Sequence, residues 1–343
     1  MKTINTIWIT LLTLIISTGV TDLLQAQDDS RTNAVMAYNN ARELAGINEY
    51  LDAIELYEEA LTFARADDCE DCGDIEEMIV GQVPRVYLAR GLQTFENFRE
   101  ERTVENVNRA IEHFEEAAEG AARYNATTVQ GQARGVIPQL YYQKSLVQYN
   151  EEDYEAALAS LDTAIELNEN YTLAYYQKAI VLNKMGEVEL DDVIAAFDRA
   201  IEVGLATNQQ EHVATAQRRL SSELVYRAVS LKDEDDLAGA LEMLEMAQDY
   251  DDSSVDLWYR LAEVQNLLGN ANSALESANR ALELESGGVA DQAKIYFELG
   301  QAYQALEQVT NACNAYENAA YGDFRDSALY EMEYELECEE ISS

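Results

Sequence analysis

The chain offers little raw material for catalysis: two histidines, His113 and His212, and four cysteines stand among 65 Asp and Glu. A nucleophile activated by a base needs a histidine, or an equivalent base, held against a Ser or Cys. His113 lies one residue before Phe114, flanked by Glu112 and Glu115, and His212 follows the polar run Gln209-Gln210-Glu211. Both read as surface residues. Carboxylate pairs occur throughout, so no one pair marks glycoside chemistry. No G-x-x-x-x-G-K-[ST] loop is present to cradle a nucleotide. Asp249, Asp251 and Ser253 begin a calcium-loop pattern, which needs oxygens at fixed spacing. It fails where Ser254 replaces the turn glycine and Arg260 replaces the bidentate Glu. The reading is a non-enzyme, with no metal or cofactor implied.

Cys69-Glu70-Asp71-Cys72 is a C-x-x-C, and three readings compete. A thioredoxin-like redox site needs a strand–helix context. The carboxylates Asp67, Asp68, Glu70, Asp71 and Asp74 would raise a thiol pKa rather than lower it. Zinc requires four ligands, and no other Cys or His is near in sequence. A disulfide pinning a loop is the simplest of the three.

At the N-terminus, Lys2 precedes an apolar run from Ile4 to Val20, and Leu24-Gln25-Ala26 places a small residue before a cut. This is the layout of a secretory signal peptide over 1–26. The run is shorter than the about 20 apolar residues that span hydrocarbon. No second stretch is long enough either, so the sequence predicts an exported chain, periplasmic or extracellular, with no membrane span after cleavage. A short linker, 27–33, follows.

The remaining residues must be positioned by repeated elements. Seven segments place a small residue, a bulky one four on, and Ala three further. They are Ala53/Tyr57/Ala60, Ala110/Phe114/Ala117, Ala157/Leu161/Ala164, Val193/Phe197/Ala200, Ala240/Leu244/Ala247, Ala274/Ala278/Ala281 and Ala312/Tyr316/Ala319. Four-then-three spacing keeps the three positions on one helical face. Twelve residues earlier a second small residue recurs, at Ala41, Ser145, Ala228, Ala262 and Gly300. The units with Trp258, Leu261 and Ala262, and with Tyr296, Leu299, Gly300 and Tyr303, show the pattern most fully.

These residues resemble the tetratricopeptide repeat, a helix–turn–helix of about 34 residues, in a secreted bacterial form. The resemblance covers residues 34–322 and implies an all-α fold: a right-handed superhelical solenoid of about seven units, closed by a capping helix and acidic tail over 323–343. Ala328, Met332 and Leu336, four apart, mark the cap. Arrays of this kind need such covers because a bare last unit shows an apolar face to water. Several units are longer than the family's period, with candidate insertions at 67–82, 120–130 and 203–210. Pro84 and Pro138 are expected at the first position of a unit, where the missing amide has no helical partner. Cys313 and Cys338 fall on the last repeat's second helix and at the end of the cap, so the resemblance supports a disulfide between them.

In this family the first helix of each unit lines a concave groove, which implies a protein or peptide partner. Aligned on their small residues, the units place Tyr38, Leu88, Tyr142, Tyr176, Val225, Tyr259 and Phe297 at equivalent positions. Leu92, Leu146, Ile180 and Val229 follow four residues on, with Tyr149 three later. Together they make an apolar, tyrosine-rich strip suited to an extended peptide or amphipathic helix. The alternative is that these rings pack within the chain. Basic residues that could clamp a carboxylate, Arg42, Arg85, Lys184, Lys232 and Lys294, read as scattered.

The charge balance, 23 Lys and Arg against 65 Asp and Glu, gives −42. That argues against nucleic acid, whose phosphates require clustered cations. The carboxylate-rich, lysine-poor profile resembles proteins of salt-loving organisms. A self-assembling envelope component and an acidic calcium-responsive protein are the competing functional readings, and oligomeric state stays open.

Overall fold

The computed structural model describes residues 22–338 apart from positions 70 and 187, with side chains described from residue 30 onward. The expected leader lies outside the described residues up to position 21, and the last residues of the acidic tail, 339–343, also lie outside them. Among the described residues the fold is all-α. Two compact units divide it, one ending at Asn168 and the other starting at Glu169.

The first unit holds three antiparallel helix pairs: α1 (Asp22–Gly46) with α2 (Tyr50–Ala64), α3 (Gly73–Glu100) with α4 (Val104–Arg123), and α5 (Thr127–Asn150) with α6 (Tyr154–Leu167). The second holds four: α7 (Thr172–Met185) with α8 (Leu190–Ala206), α9 (Gln210–Asp233) with α10 (Leu237–Tyr250), α11 (Val255–Leu267) with α12 (Ala271–Leu284), and α13 (Val289–Ala305) with α14 (Val309–Ala319). All 21 residues of the seven recurring triplets lie on second helices, and none is more than 1% exposed. Alanine at two of three positions lets the paired helices approach closely, while the bulky residue fills the space between them.

Local chemistry starts and stops these helices. Thr103, Asp153, Asp236 and Ser254 each accept a hydrogen bond from the backbone amide three residues on, at 2.9–3.3 Å. Such caps satisfy a donor that the first helical turn leaves free. The tight turns within and between pairs recurrently place one residue in the left-handed region: Asn48, Asn125, Glu152, Gly186, Asn208, Asp235, Gly269 and Glu307. Asn and Gly adopt it most cheaply; the glutamates do not.

Both prolines depart from expectation. Pro84 and Pro138 lie well inside α3 and α5, each 11 residues after the helix's first residue (84 − 73 and 138 − 127), and both are buried. An internal proline costs about 3 kcal/mol, because it removes one helical hydrogen bond and crowds the carbonyl four residues back. The segment ahead of Pro84 buries Ile75, Ile79 and Val83, and that ahead of Pro138 buries Ala133 and Ile137. This burial offsets the cost at roughly 1.5–3 kcal/mol per large aliphatic side chain. Each proline therefore begins a repeat's pattern without beginning its helix. The candidate insertions are accordingly longer helices: 73–82 opens α3, 120–130 spans the end of α4 and the start of α5, and 203–210 joins α8 to α9.

The cap is not one regular α-helix. A 3₁₀ turn, Gly322–Phe324, leads into α15 (Arg325–Tyr330), which widens into a π turn over Glu331–Glu335. Ala328 is fully buried against Ala312, Tyr316 and Ala319, with Met332 and Leu336 packed beside it. The Leu336 amide donates to the Glu331 carbonyl at 3.0 Å and the Cys338 amide to the Met332 carbonyl at 2.8 Å. This end of the cap carries Cys338 to Cys313, with 5.9 Å between their Cα atoms, and the two form a disulfide.

Candidate partner-binding face

Within each unit the first helices touch their successors, α1 to α3 to α5 and α7 to α9 to α11 to α13. Successive second helices do not pack on one another to the same extent. The first helices therefore occupy the inner side of the local bend, and their outward residues form the candidate face.

In the first unit that face is partly open. Leu92 on α3 is 49% exposed, and Leu88, one turn earlier, is half-buried against the core. On α5, Tyr142, Leu146 and Tyr149 are half-buried, and the Tyr149 ring lies 5.7 Å from that of Tyr154. Tyr38 on α1 leans edge-on against Tyr57 at 5.6 Å.

The second unit places its strip differently. Val225 and Tyr259 are buried, so as they stand they offer a partner little surface. Tyr176 and Ile180 pack against the core, Tyr176 meeting Phe197 edge-on at 6.1 Å. Val229 is half-buried. Phe297 sits 5.5 Å from Tyr316 and 5.4 Å from Phe324. These rings make contacts within the chain, while Tyr176 and Phe297 stay half-buried.

Of the five cations read as scattered, Lys232 and Lys294 come near Arg260 and Tyr259. Lys232 of α9 reaches Glu263 of α11 at 2.6 Å, and Arg260 reaches the same carboxylate at 2.9 Å. Arg260 and Lys294 of α13 each stand 4.9 Å from the centre of the Tyr259 ring. Glu298, also on α13, is 5% exposed and accepts from the Asn266 side-chain amide at 2.8 Å. Burial pushes the Glu298 carboxyl up to about 7, with Glu263 adding to the rise. A sequence signal existed: Arg260 and Glu298 both lie two residues before their unit's small residue, Ala262 or Gly300. Equivalent positions in stacked repeats become neighbours.

Two further residues differ from expectation. His113 is buried, not a surface group, because α3 flanks it. Burial lowers its pKa, and Arg90 adds to that. His212 is half-buried, its Nδ1 2.8 Å from the Gln209 side-chain oxygen. Gly91 is the small residue of the second pair, where the Phe114 ring lies 3.3 Å from the position of a Cβ. It precedes Ala110 by 19 residues instead of 12, so the fixed spacing missed it.

Cys69 and Cys72 form a disulfide in the turn ahead of α3, with 5.8 Å between their Cα atoms. Ser30 bonds to Asp68 at 2.8 Å, and Arg31 pairs with Asp74 at 2.8 Å and donates to the Asp71 carbonyl. Beyond this turn, Asp251 accepts from both the amide and the hydroxyl of Ser253. No described helix is long and apolar enough to cross a membrane.

Stacked antiparallel helix pairs with small residues at their contacts define a helix-pair repeat protein. Residues 138–171, 255–287 and 293–321 match the tetratricopeptide-repeat model, so these three stretches are tetratricopeptide repeats. The first matched stretch begins at Pro138, inside α5, which agrees with a repeat that starts within a lengthened helix. No curated protein matches the chain significantly. Among solved structures it is similar to the C-terminal part of a TPR repeat-containing protein from Cytophaga hutchinsonii, at 13% identity over 85% of this chain and 99% of that one, with a TM-score of 0.36. It is also similar to YrrB, described as a TPR protein with an unusual peptide-binding site (18% identity, 61% and 97% covered, TM-score 0.33). The TPR2AB domain of yeast Sti1 in complex with pHSP90 matches at 15% identity over 74% and 96%, with a TM-score of 0.29. The repeats support a protein–protein interaction scaffold.

Proposed function

We propose that this protein is an exported, non-enzymatic adaptor that seats a peptide or helix of a partner protein on the inner face of its first helices. The observation that carries the reading is the open apolar strip on α3 and α5, two touching helices, where Leu92 is exposed and Leu88, Tyr142, Leu146 and Tyr149 are half-buried. A few anchors of this kind suffice for an amphipathic helix or an extended segment. Export is supported by the leader-like N-terminus and by four cysteines all engaged in disulfides, as suits an oxidising compartment. The acid excess is read as adaptation to high salt.

The test is capture of partners from an extracytoplasmic fraction at high salt, with the mature chain as one bait and a Leu92→Glu/Leu146→Glu variant as the other. Circular dichroism establishes that the variant folds. A partner retained by the first bait and lost from the second supports the reading; equal capture by both overturns it.

Self-assembly is favoured by a separate observation: on the cap, Tyr330 and Tyr334 are 52% and 70% exposed, with rings stacked at 5.3 Å. Sedimentation that stays monomeric over a wide concentration range would exclude it.

A further inference from the structure

Glu298 and Asn266 make an arrangement that the interaction face does not explain. The Asn266 side-chain nitrogen donates twice to the same residue, to the Glu298 carbonyl at 2.9 Å and to its carboxylate at 2.8 Å. The Asn266 side-chain oxygen is fully buried and has no hydrogen-bond partner. An orphaned buried acceptor is costly, as is a buried carboxylate without a full complement of donors. A single proton remedies both, because a carboxylic acid carries one O–H donor. The Asn266 amide and a protonated Glu298 can then close a two-bond pair, N–H to carboxyl oxygen and O–H to amide oxygen.

Burial outweighs the groups that favour the charged form of Glu298, the Asn266 amide and the more distant Lys232 and Arg260, and among the described residues no cation is bonded to it. Lys232 of α9 and Arg260 of α11 both bond to Glu263, which itself presents a second negative charge to Glu298. Tyr259 on α11 and Tyr316 on α14 both feel the Glu298 charge and are pushed further from ionisation by it. The Tyr316 hydroxyl bonds to Gln304 at 2.7 Å, and Gln304 bonds onward to Glu331 of the cap. On α12, Glu276 and Glu283 are exposed and Arg280 pairs with Glu283.

The geometry points to Glu298 as a proton-binding site: a neutral carboxylic acid that clasps α13 to α11 through Asn266 and loosens the last repeats when it ionises. Its carboxyl, pushed up to about 7 from an ordinary 4.5, releases its proton in the folded chain well above the pH at which the unfolded chain does. Between those values the folded state holds more protons, so stability falls as pH rises through the window and levels off above it.

The test compares the thermal midpoint of the full chain with that of Glu298→Gln, an isostere that stays neutral, from about pH 5 to about pH 8. The difference between the two isolates this group from the many other carboxylates. The variant is expected to match the wild type at the acid end and to exceed it by about 5 °C or more at the alkaline end. A difference that does not change with pH, or a wild type more stable than the variant near pH 8, overturns the proposal. Infrared spectroscopy of glutamate-labelled protein near pH 6 gives a readout independent of folding. A protonated-carboxyl carbonyl band that is stronger in the wild type than in Glu298→Gln by about one carboxyl supports the site, and identical spectra overturn it.

Discussion

At Gly300 a Cβ would stand 2.5–2.8 Å from three ring carbons of Tyr316, a ring fixed by its hydrogen bond to Gln304. Gly300→Ala gains about 1 kcal/mol of helix propensity but overpacks a filled contact, which costs about 1–3 kcal/mol. The expected result in chemical denaturation is net destabilisation. Gly135→Ala is the matched control: nothing lies within 4 Å of its Cβ position, so that substitution is expected to be neutral or stabilising by up to about 1 kcal/mol. At His113 burial lowers the pKa below 6.5. The unfolded chain therefore binds the proton first, and the stability this residue contributes is complete above about pH 6.5 and lost as pH falls towards the folded value. Acidification should weaken hydrogen-exchange protection around α4 while strengthening it around α13, where Glu298 titrates in the opposite sense. Parallel changes at the two sites would contradict one of these assignments.

Helices and turns were legible in the sequence to very different degrees. The seven triplets named every second helix, because a helical face packed on both sides needs small residues at fixed spacing. Helix ends were less legible. Pro84 and Pro138 signalled starts that the buried residues ahead of them overrode, and Gly91 fell outside a spacing that assumed equal hairpins. The equivalent register of the inner-face positions does not distinguish groove from packing: Val225 and Tyr259 are buried and Leu92 is exposed. Glu298 showed only in its repeat register, two residues before Gly300 as Arg260 is before Ala262; its burial is made by the neighbouring repeat, and a glutamate on a helix ordinarily faces water. Two predictions belong at this scale. Glu307 holds the left-handed conformation at φ 59° in the turn between α13 and α14. Glu307→Gly should stabilise by up to about 1 kcal/mol, since the strain it relieves is about 1–2 kcal/mol and glycine's added chain entropy offsets part of it. Replacing Cys313 and Cys338 by Ser should cost roughly 3 kcal/mol through the lost chain constraint. Hydrogen exchange should locate that loss in α14 and α15, and an unchanged cap would mean the disulfide contributes nothing.

For the whole molecule, a net charge of −42 is the dominant quantity. Dense like charge opposes the compact state, and salt shortens its reach from about 8 Å near physiological strength to about 3 Å near 1 M. Thermal stability is therefore expected to climb with NaCl into the molar range; a flat midpoint would remove salt adaptation from the account. The central claim, that a partner lies on the inner face, is tested most directly by photo-crosslinking from one exposed residue on each side of the first unit. A photoreactive side chain at Leu92 on α3 should trap a partner in the native extracytoplasmic fraction, and one at Glu112 on α4 should trap none. Equal trapping from both, or trapping from Glu112 alone, would contradict an inner-face site.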